Sequence, residues 1–253
     1  MDRILIVTIL AIFIISCAED KGTDSSFSSI NIGTDSTFDI ITWNIKNFPK
    51  QNSTVDYLIE LIPIFDADII ALQEIESATD FQNLINSLDN YDGILTNSAL
   101  YNINLAFLYS NNLEVEATYE IFTDDWRSFP RPPLVAHIIW EGEDVYVINN
   151  HYKCCGNGII EDDEDDEEYR RLQAIKYTKD YFENSLVNKN IVLVGDFNGF
   201  IQYFENISSG NNLTFSFIEN VGNIDLSGNS VPTLGDLDGD GDLDMLIGQL
   251  NGS

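Results

Sequence analysis

The sequence predicts an α/β layered sandwich over most of its length, followed by a short all-β segment. Three observations predict it. Apolar strand-like runs alternate with amphipathic helical runs between Phe38 and Val194, and polar side chains follow those strands at one carboxyl end after another. Past Asn198 the helical pattern stops, and short strands separated by Gly and Asn take over. The stretch Ile191-Val-Leu-Val-Gly-Asp-Phe-Asn-Gly199 organises the whole. It reads as a short buried strand that turns at Gly195 and projects Asp196 and Asn198.

A targeting segment precedes the sandwich. Arg3 is followed by an apolar run from Ile4 to Ile15, interrupted only by Thr8. A membrane-spanning helix needs about 20 apolar residues, so this shorter run fits the h-region of a signal peptide. It ends in Ile14-Ile15-Ser16-Cys17, which resembles a bacterial lipobox with Cys17 as the diacylated residue; a plain secretory signal is the alternative. Residues 1–17 are then the signal segment, and residues 18–37, rich in Ser, Gly, Thr and Asp, form a flexible tether. The expected product is a secreted lipoprotein, anchored to a membrane and facing the periplasm or cell exterior. Nothing in the sequence points to a protein partner or an oligomer. With Cys17 lipidated, only Cys154 and Cys155 remain, and adjacent cysteines make a strained disulfide at best. The fold does not rest on a disulfide framework.

The 42 acidic and 12 basic residues give a net charge of −30. Such a chain repels polyanions at long range, which argues against a nucleic-acid-coating role. A hydrolase that meets phosphate through a bound cation is compatible with it.

Taken in order, Phe38–Trp43 is a strand with Asn44 at its end. Ser53 or Thr54 caps a helix whose apolar positions Val55, Leu58, Ile59 and Ile62 share one face, and Pro63 bends or ends it. Asp68–Gln73 is the next strand and delivers Glu74. A short helix over about 80–88 turns Phe81, Leu84, Ile85 and Leu88 inward. Strands follow at Leu105–Tyr109, Leu134–Trp140 and Val145–Asn149, with His151 just beyond the last. A long helix over about 167–186 buries Leu172, Ile175, Phe182 and Leu186 and leads into the Ile191 strand.

The residues at those strand ends form one constellation: Asn44, Glu74, Asn149, His151, Asp196 and Asn198. Each alone is compatible with a cap or a turn, but six in one register are not. Thr42-Trp-Asn44, Leu72-Gln-Glu74, Asn149-Asn-His151 and Val194-Gly-Asp-Phe-Asn198 resemble the successive motifs of the endonuclease/exonuclease/phosphatase superfamily, over about 38–198. The resemblance implies an α+β fold, a four-layer α/β/β/α sandwich of the deoxyribonuclease-I-like type. It implies a metal-dependent phosphoester hydrolase in which Glu74, with Asn44 beside it, holds Mg²⁺ or Mn²⁺ through hard oxygen ligands. His151 would donate to a phosphate oxygen, with Asn149 among the catalytic residues. Asp196 and Asn198 would position the attacking water and bind phosphate. Arg131, in Phe129-Pro-Arg-Pro-Pro133, resembles a position that touches substrate phosphate; a loop arginine paired with the abundant carboxylates is the alternative. Candidate substrates are phosphoesters, nucleic acid among them. The loop Lys153-Cys-Cys-Gly156 resembles one found in secreted bacterial members. The run from Glu161 to Glu168, all Asp or Glu, lacks the spacing of a calcium loop and suits the start of a helix, where the dipole favours carboxylates.

Residues 199–253 resemble one FG-GAP/VCBS-type propeller repeat, and Asn198-Gly199 recurs as Asn251-Gly252. Its loop Asp236-Leu-Asp-Gly-Asp-Gly-Asp-Leu-Asp244 alternates carboxylates at Asp236, Asp238, Asp240 and Asp244, with a carbonyl from Asp242, as a Ca²⁺ site requires. The superfamily's closing Asp-His motif is absent: the chain has two histidines, and His137 has no Asp before it. The sequence therefore predicts an impaired hydrolase. A calcium-stabilised surface-binding lipoprotein with an inert enzyme-like half is the alternative reading.

Overall fold

A computed structural model describes residues 37–197, together with the backbone of the strands at 7–11, 203–206, 215–218, 230–235 and 244–249. In chain order the elements are β1 (Val7–Ala11), β2 (Phe38–Phe48), α1 (Thr54–Phe65), β3 (Ile69–Ile75), α2 (Ala78–Asn86), β4 (Tyr91–Leu95), β5 (Asn104–Ser110), β6 (Glu114–Glu120), β7 (Leu134–Trp140), β8 (Glu143–His151), α3 (Glu167–Ser185) and β9 (Asn190–Asp196). Then come β10 (Tyr203–Asn206), β11 (Phe215–Ile218), β12 (Ser230–Gly235) and β13 (Asp244–Gln249). One sheet has the order β1-β2-β3-β5-β4 and the other β6-β7-β8-β9.

The period-two alternation of the strands sorts their side chains into layers. Phe38, Ile40, Ile69, Ala71, Leu105 and Phe107 of the first sheet meet Leu134, Ala136, Ile138, Val145, Val147 and Val194 of the second. On the outer side of the first sheet, Ile41, Trp43, Ile70 and Leu72 pack against Leu58, Ile62 and Phe65 of α1 and Phe81 and Leu84 of α2. Val135 and Ile148 on the outer side of the second sheet are covered by Leu186, Tyr181 and Phe182. The result is a mixed α/β sandwich with helices outside two facing sheets.

Several elements depart from the sequence reading, for physical reasons. Pro63 lies inside α1, because in the last turn it forfeits one hydrogen bond while Ile62 and Phe65 on either side are buried. Two strands, β4 and β6, have no clear apolar signature: β4 contains Gly93, and β6 is a charged edge strand of the kind that resists further pairing. The innermost positions of α3 are Glu168, Arg171, Ala174 and Thr178, with the expected Leu172, Ile175 and Phe182 only half-buried. This helix turns a polar pair inward because a loop beneath it offers bare carbonyls. The apolar run expected as an h-region supplies β1, paired parallel to β2 with Val7 opposite Phe38.

The C-terminal strands pair as two separate antiparallel couples, β10 with β11 and β12 with β13. A propeller blade is one four-stranded sheet, so among the described residues this pairing does not reproduce the expected repeat. Gly235 lies opposite Asp244 in the second couple. Asp236, Asp238, Asp240 and Asp242 fall outside the described residues, as do Cys17 and Asn198.

Candidate active site

At one end of the inter-sheet core the alternating positions turn from apolar to polar, in two tiers. In the lower tier, Asn149 reaches across from β8 and donates through Nδ2 to the carbonyls of Leu72 (2.9 Å) and Ala106 (3.0 Å). Its Oδ1 accepts from Gln73 Nε2 at 2.8 Å, and the same Gln73 nitrogen lies 3.2 Å from Thr42 Oγ1. Asn149 and Gln73 are both fully buried. The amide of Asn149, expected among the catalytic groups, is engaged by the opposite sheet and clamps the two sheets under the site.

The upper tier lies one alternation further along each strand: Asn44 after Thr42, His151 after Asn149, Asp196 after Val194. Glu74 does not fit this rule, since the residue after inward-facing Gln73 should point at the helices. The chain solves this with a bulge. Register slips between Gln73 and Ile75 against both neighbouring strands, and Glu74 takes a left-handed backbone with φ 64°. The extra residue turns Glu74 back toward the second sheet, and Ile75 resumes the outward face. Gly195 does similar work on β9. At φ 134° it sits beside Asn150, and a Cβ there would lie 1.9 Å from the Asn150 carbonyl oxygen. Only glycine lets β9 approach β8 closely enough to bring Asp196 opposite His151.

These devices bring four of the expected residues together. Asn44 Nδ2 donates to Glu74 Oε1 at 3.0 Å and to Asp196 Oδ2 at 2.8 Å. His151 Nε2 lies 4.0 Å from Glu74 Oε1 and 3.8 Å from Asp196 Oδ2. The Asn47 amide, which the sequence reading missed, donates to Glu74 Oε2 at 3.1 Å from the irregular end of β2. Glu74 and Asp196 each keep 20 % of their side-chain surface exposed, enough to meet a solvent ion or substrate.

Arg131 joins the cluster from its loop. Phe129, two residues earlier, is buried and stacks on Phe122 at 4.5 Å, and Arg131 Nη1 donates to the Tyr152 carbonyl at 3.2 Å. Burial lowers the Arg131 pKa, and Cys154, Glu74 and Asp196 pull it back up. The guanidinium is thus within electrostatic reach of the site's carboxylates, with no salt bridge of its own among the described residues.

His137 is not a second site histidine. The hairpin gives it a carboxylate partner that its sequence neighbours do not: Asp144, 2.6 Å from Nε2. Lys189 bonds the same carboxylate, and these two contacts, Lys189 foremost, hold Asp144 below the usual range. His137 pairs with Tyr146, far down β8 from His151, and stacks on it at 4.4 Å. The acidic run behaves as the start of a helix. Asp166 caps α3 by accepting from Tyr169 N at 2.7 Å, and Glu168 is occupied by Gly158 N and Arg171.

Residues 41–212, more than half of the chain, match the model of the Endonuclease/Exonuclease/phosphatase family. The chain belongs to this family. The match runs past Asn198, where the sequence reading ended the domain. Two solved structures share the fold: D. rerio TDP2 humanized by 14 mutations, at 15 % identity, and D. rerio TDP2 complexed with single strand DNA product, at 16 %. Both have a TM-score of 0.50, and each alignment covers 63 % of this chain. It covers 65 % and 60 % of those two chains, so the shared part spans less than two thirds of their length. No curated protein matches this chain.

Within this endonuclease/exonuclease/phosphatase site, burial and then the Arg131 charge lower the His151 pKa from 6.5 to about 3. The ring is thus neutral at pH 7. Nε2 keeps the proton, since it faces two carboxylates, while Nδ1 is buried with no partner among the described residues. Between about pH 3 and 6.5 the unfolded chain binds a proton that the native ring refuses. Native stability therefore falls as pH drops below 6.5, by about 2 kcal/mol at pH 5 from this residue. Urea unfolding at pH 7 and pH 5 should show His151→Gln losing about 2 kcal/mol less than wild type across that interval. Equal losses would contradict a buried neutral ring.

Proposed function

We propose that this chain carries a divalent-cation-dependent phosphodiester hydrolase site of reduced turnover. The observation that supports it best is the convergence of Glu74 from one sheet and Asp196 from the other on a single amide, Asn44 Nδ2, beside a neutral histidine. Two carboxylates held this close repel unless a cation or proton intervenes. The donor set of Glu74 and Asn44 is hard oxygen, which fits Mg²⁺ or Mn²⁺. Bound there, such an ion supplies charge to polarise a phosphoryl oxygen and stabilise the leaving group.

The chain's own residues do the rest. Asp196 accepts a proton from, or orients, the attacking water, and its neighbour Asn198 contributes to phosphate binding. Arg131 anchors a non-bridging phosphate oxygen. His151, carrying its proton on Nε2, donates to an oxygen where negative charge grows in the transition state. A hydrogen bond from a neutral ring survives across neutral pH. A second histidine has no candidate in this chain, since His137 is committed to Asp144. Losing one proton-handling group costs about 10²–10⁴ in rate. The substrate class is a phosphodiester, nucleic acid included. Secretion and lipid anchoring through Cys17 complete the reading.

Two experiments check this. With Mg²⁺ or Mn²⁺, cleavage of plasmid DNA and of bis(p-nitrophenyl) phosphate should be slow and abolished in Glu74→Ala, with Arg131→Ala raising KM more than it lowers kcat. Cleavage that persists in Glu74→Ala would overturn the site, and robust wild-type turnover would overturn the impairment. For the anchor, a fatty-acid analogue should label wild-type cells' protein and spare Cys17→Ala; equal labelling would refute lipidation.

A further inference from the structure

The loop Lys153–Gly158 is built around two adjacent thiols that the proposed reaction does not use. In extended backbone, neighbouring side chains point to opposite faces. Here Cys155 has a left-handed φ of 76°, followed by Gly156 at φ 103°, and both sulfurs turn to the same side. Cys155 Sγ donates to Cys154 Sγ at 2.8 Å. The half-buried Cys154 and the exposed Cys155 are both free thiols. Arg171 Nη1 donates at 2.8 Å to the carbonyls of both Lys153 and Cys155, so the peptide units on either side of the Cys154–Cys155 pair are gripped from beneath. Glu168 steadies that guanidinium at 3.3 Å and accepts from Gly158 N on the far side of the pair. The buried Glu168–Arg171 pair thus holds the backbone on both sides of the two cysteines.

We propose that Cys154 and Cys155 are a redox-active dithiol that closes reversibly to a vicinal disulfide. The oxidant is a small-molecule or protein disulfide. One protein thiolate attacks a sulfur of that disulfide, forming a mixed disulfide and expelling one thiolate. The second protein thiolate then attacks the first protein sulfur and expels the other. The two cysteines lose two protons and two electrons, and the oxidant leaves as two thiols. Closure needs the sulfurs to move from 2.8 Å to about 2.04 Å. The bond is strained, because adjacent Cα atoms are about 3.8 Å apart where ordinary disulfides span about 4.4–6.8 Å. Strained, exposed disulfides are the readily reduced ones, suited to switching more than to stapling.

The test uses the full chain in glutathione buffers from reducing to oxidising, quenched with acid, alkylated and read by mass spectrometry of the 154–155 peptide. The expected result is loss of both alkylations together, no glutathione adduct, and full recovery in reducing buffer, while Cys155→Ser traps an adduct on Cys154. Stable single adducts in wild type, or two thiols persisting in the most oxidising buffer, would overturn the dithiol. This readout needs no phosphate to bind, so a failure of the proposed function would show separately in the Arg131→Ala kinetics.

Discussion

The site depends on a hydrogen-bonded clamp that contains none of its reactive groups. Asn149 and Gln73 tie the two sheets together at the level just below Glu74, His151 and Asp196. Hydrophobic packing between sheets is nondirectional and would tolerate small slides of one sheet over the other. Three directed hydrogen bonds from one buried amide do not. Any slide leaves a carbonyl or amide buried without a partner, at about 1–3 kcal/mol each. The apolar core therefore supplies the attraction between the layers, while the clamp fixes their register. That register brings carboxylates separated by most of the domain's sequence onto one asparagine nitrogen.

Above the clamp, regular β-structure would fail. Straight alternation puts Glu74 on the helix side and leaves β9 too far from β8 at Asp196. The structure accepts a left-handed non-glycine residue at Glu74 and a glycine at Gly195 to correct both. Strain of this kind costs about 1–3 kcal/mol and persists where the surroundings hold it. Here the Asn47 amide and Asn44 hold the Glu74 carboxylate in its turned position. The same region is electrostatically unsettled, with two carboxylates, a neutral histidine and a partly desolvated arginine. Such a mixture stabilises no fold by itself. It is what a site for a cation and an anionic phosphate requires.

Most of the sandwich was legible in the sequence because buried strands and amphipathic helices carry strong periodic signals, as at β3, β7 and α1. The polar edge strand β6 and the glycine-containing β4 carry weak ones. Asn44, Glu74, His151 and Asp196 were legible as strand-end residues, although all four strands run further than the apolar runs suggest: the four residues lie within β2, β3, β8 and β9. The cross-sheet bonds of Asn149 were not legible, because an asparagine two residues before a histidine looks the same whether it faces substrate or the opposite sheet. Gln73 was passed over for the same reason, though alternation from Ile69 and Ala71 marks it as inward. His137's partner was invisible because Asp144 meets it only across the hairpin, and α3's buried charges answer to a loop whose path no local pattern reveals.

The most direct test of the clamp's role is Mn²⁺ affinity, measured by electron paramagnetic resonance in wild type and Asn149→Ala at a temperature where circular dichroism shows both folded. Asn149 touches no group that would hold the ion. If the inter-sheet clamp sets the spacing of Glu74 and Asp196, the variant should bind Mn²⁺ about 10-fold or more weakly, as supporting residues around metal sites do. Equal affinity in the two proteins would contradict the account, and would mean that the apolar core alone aligns the sheets.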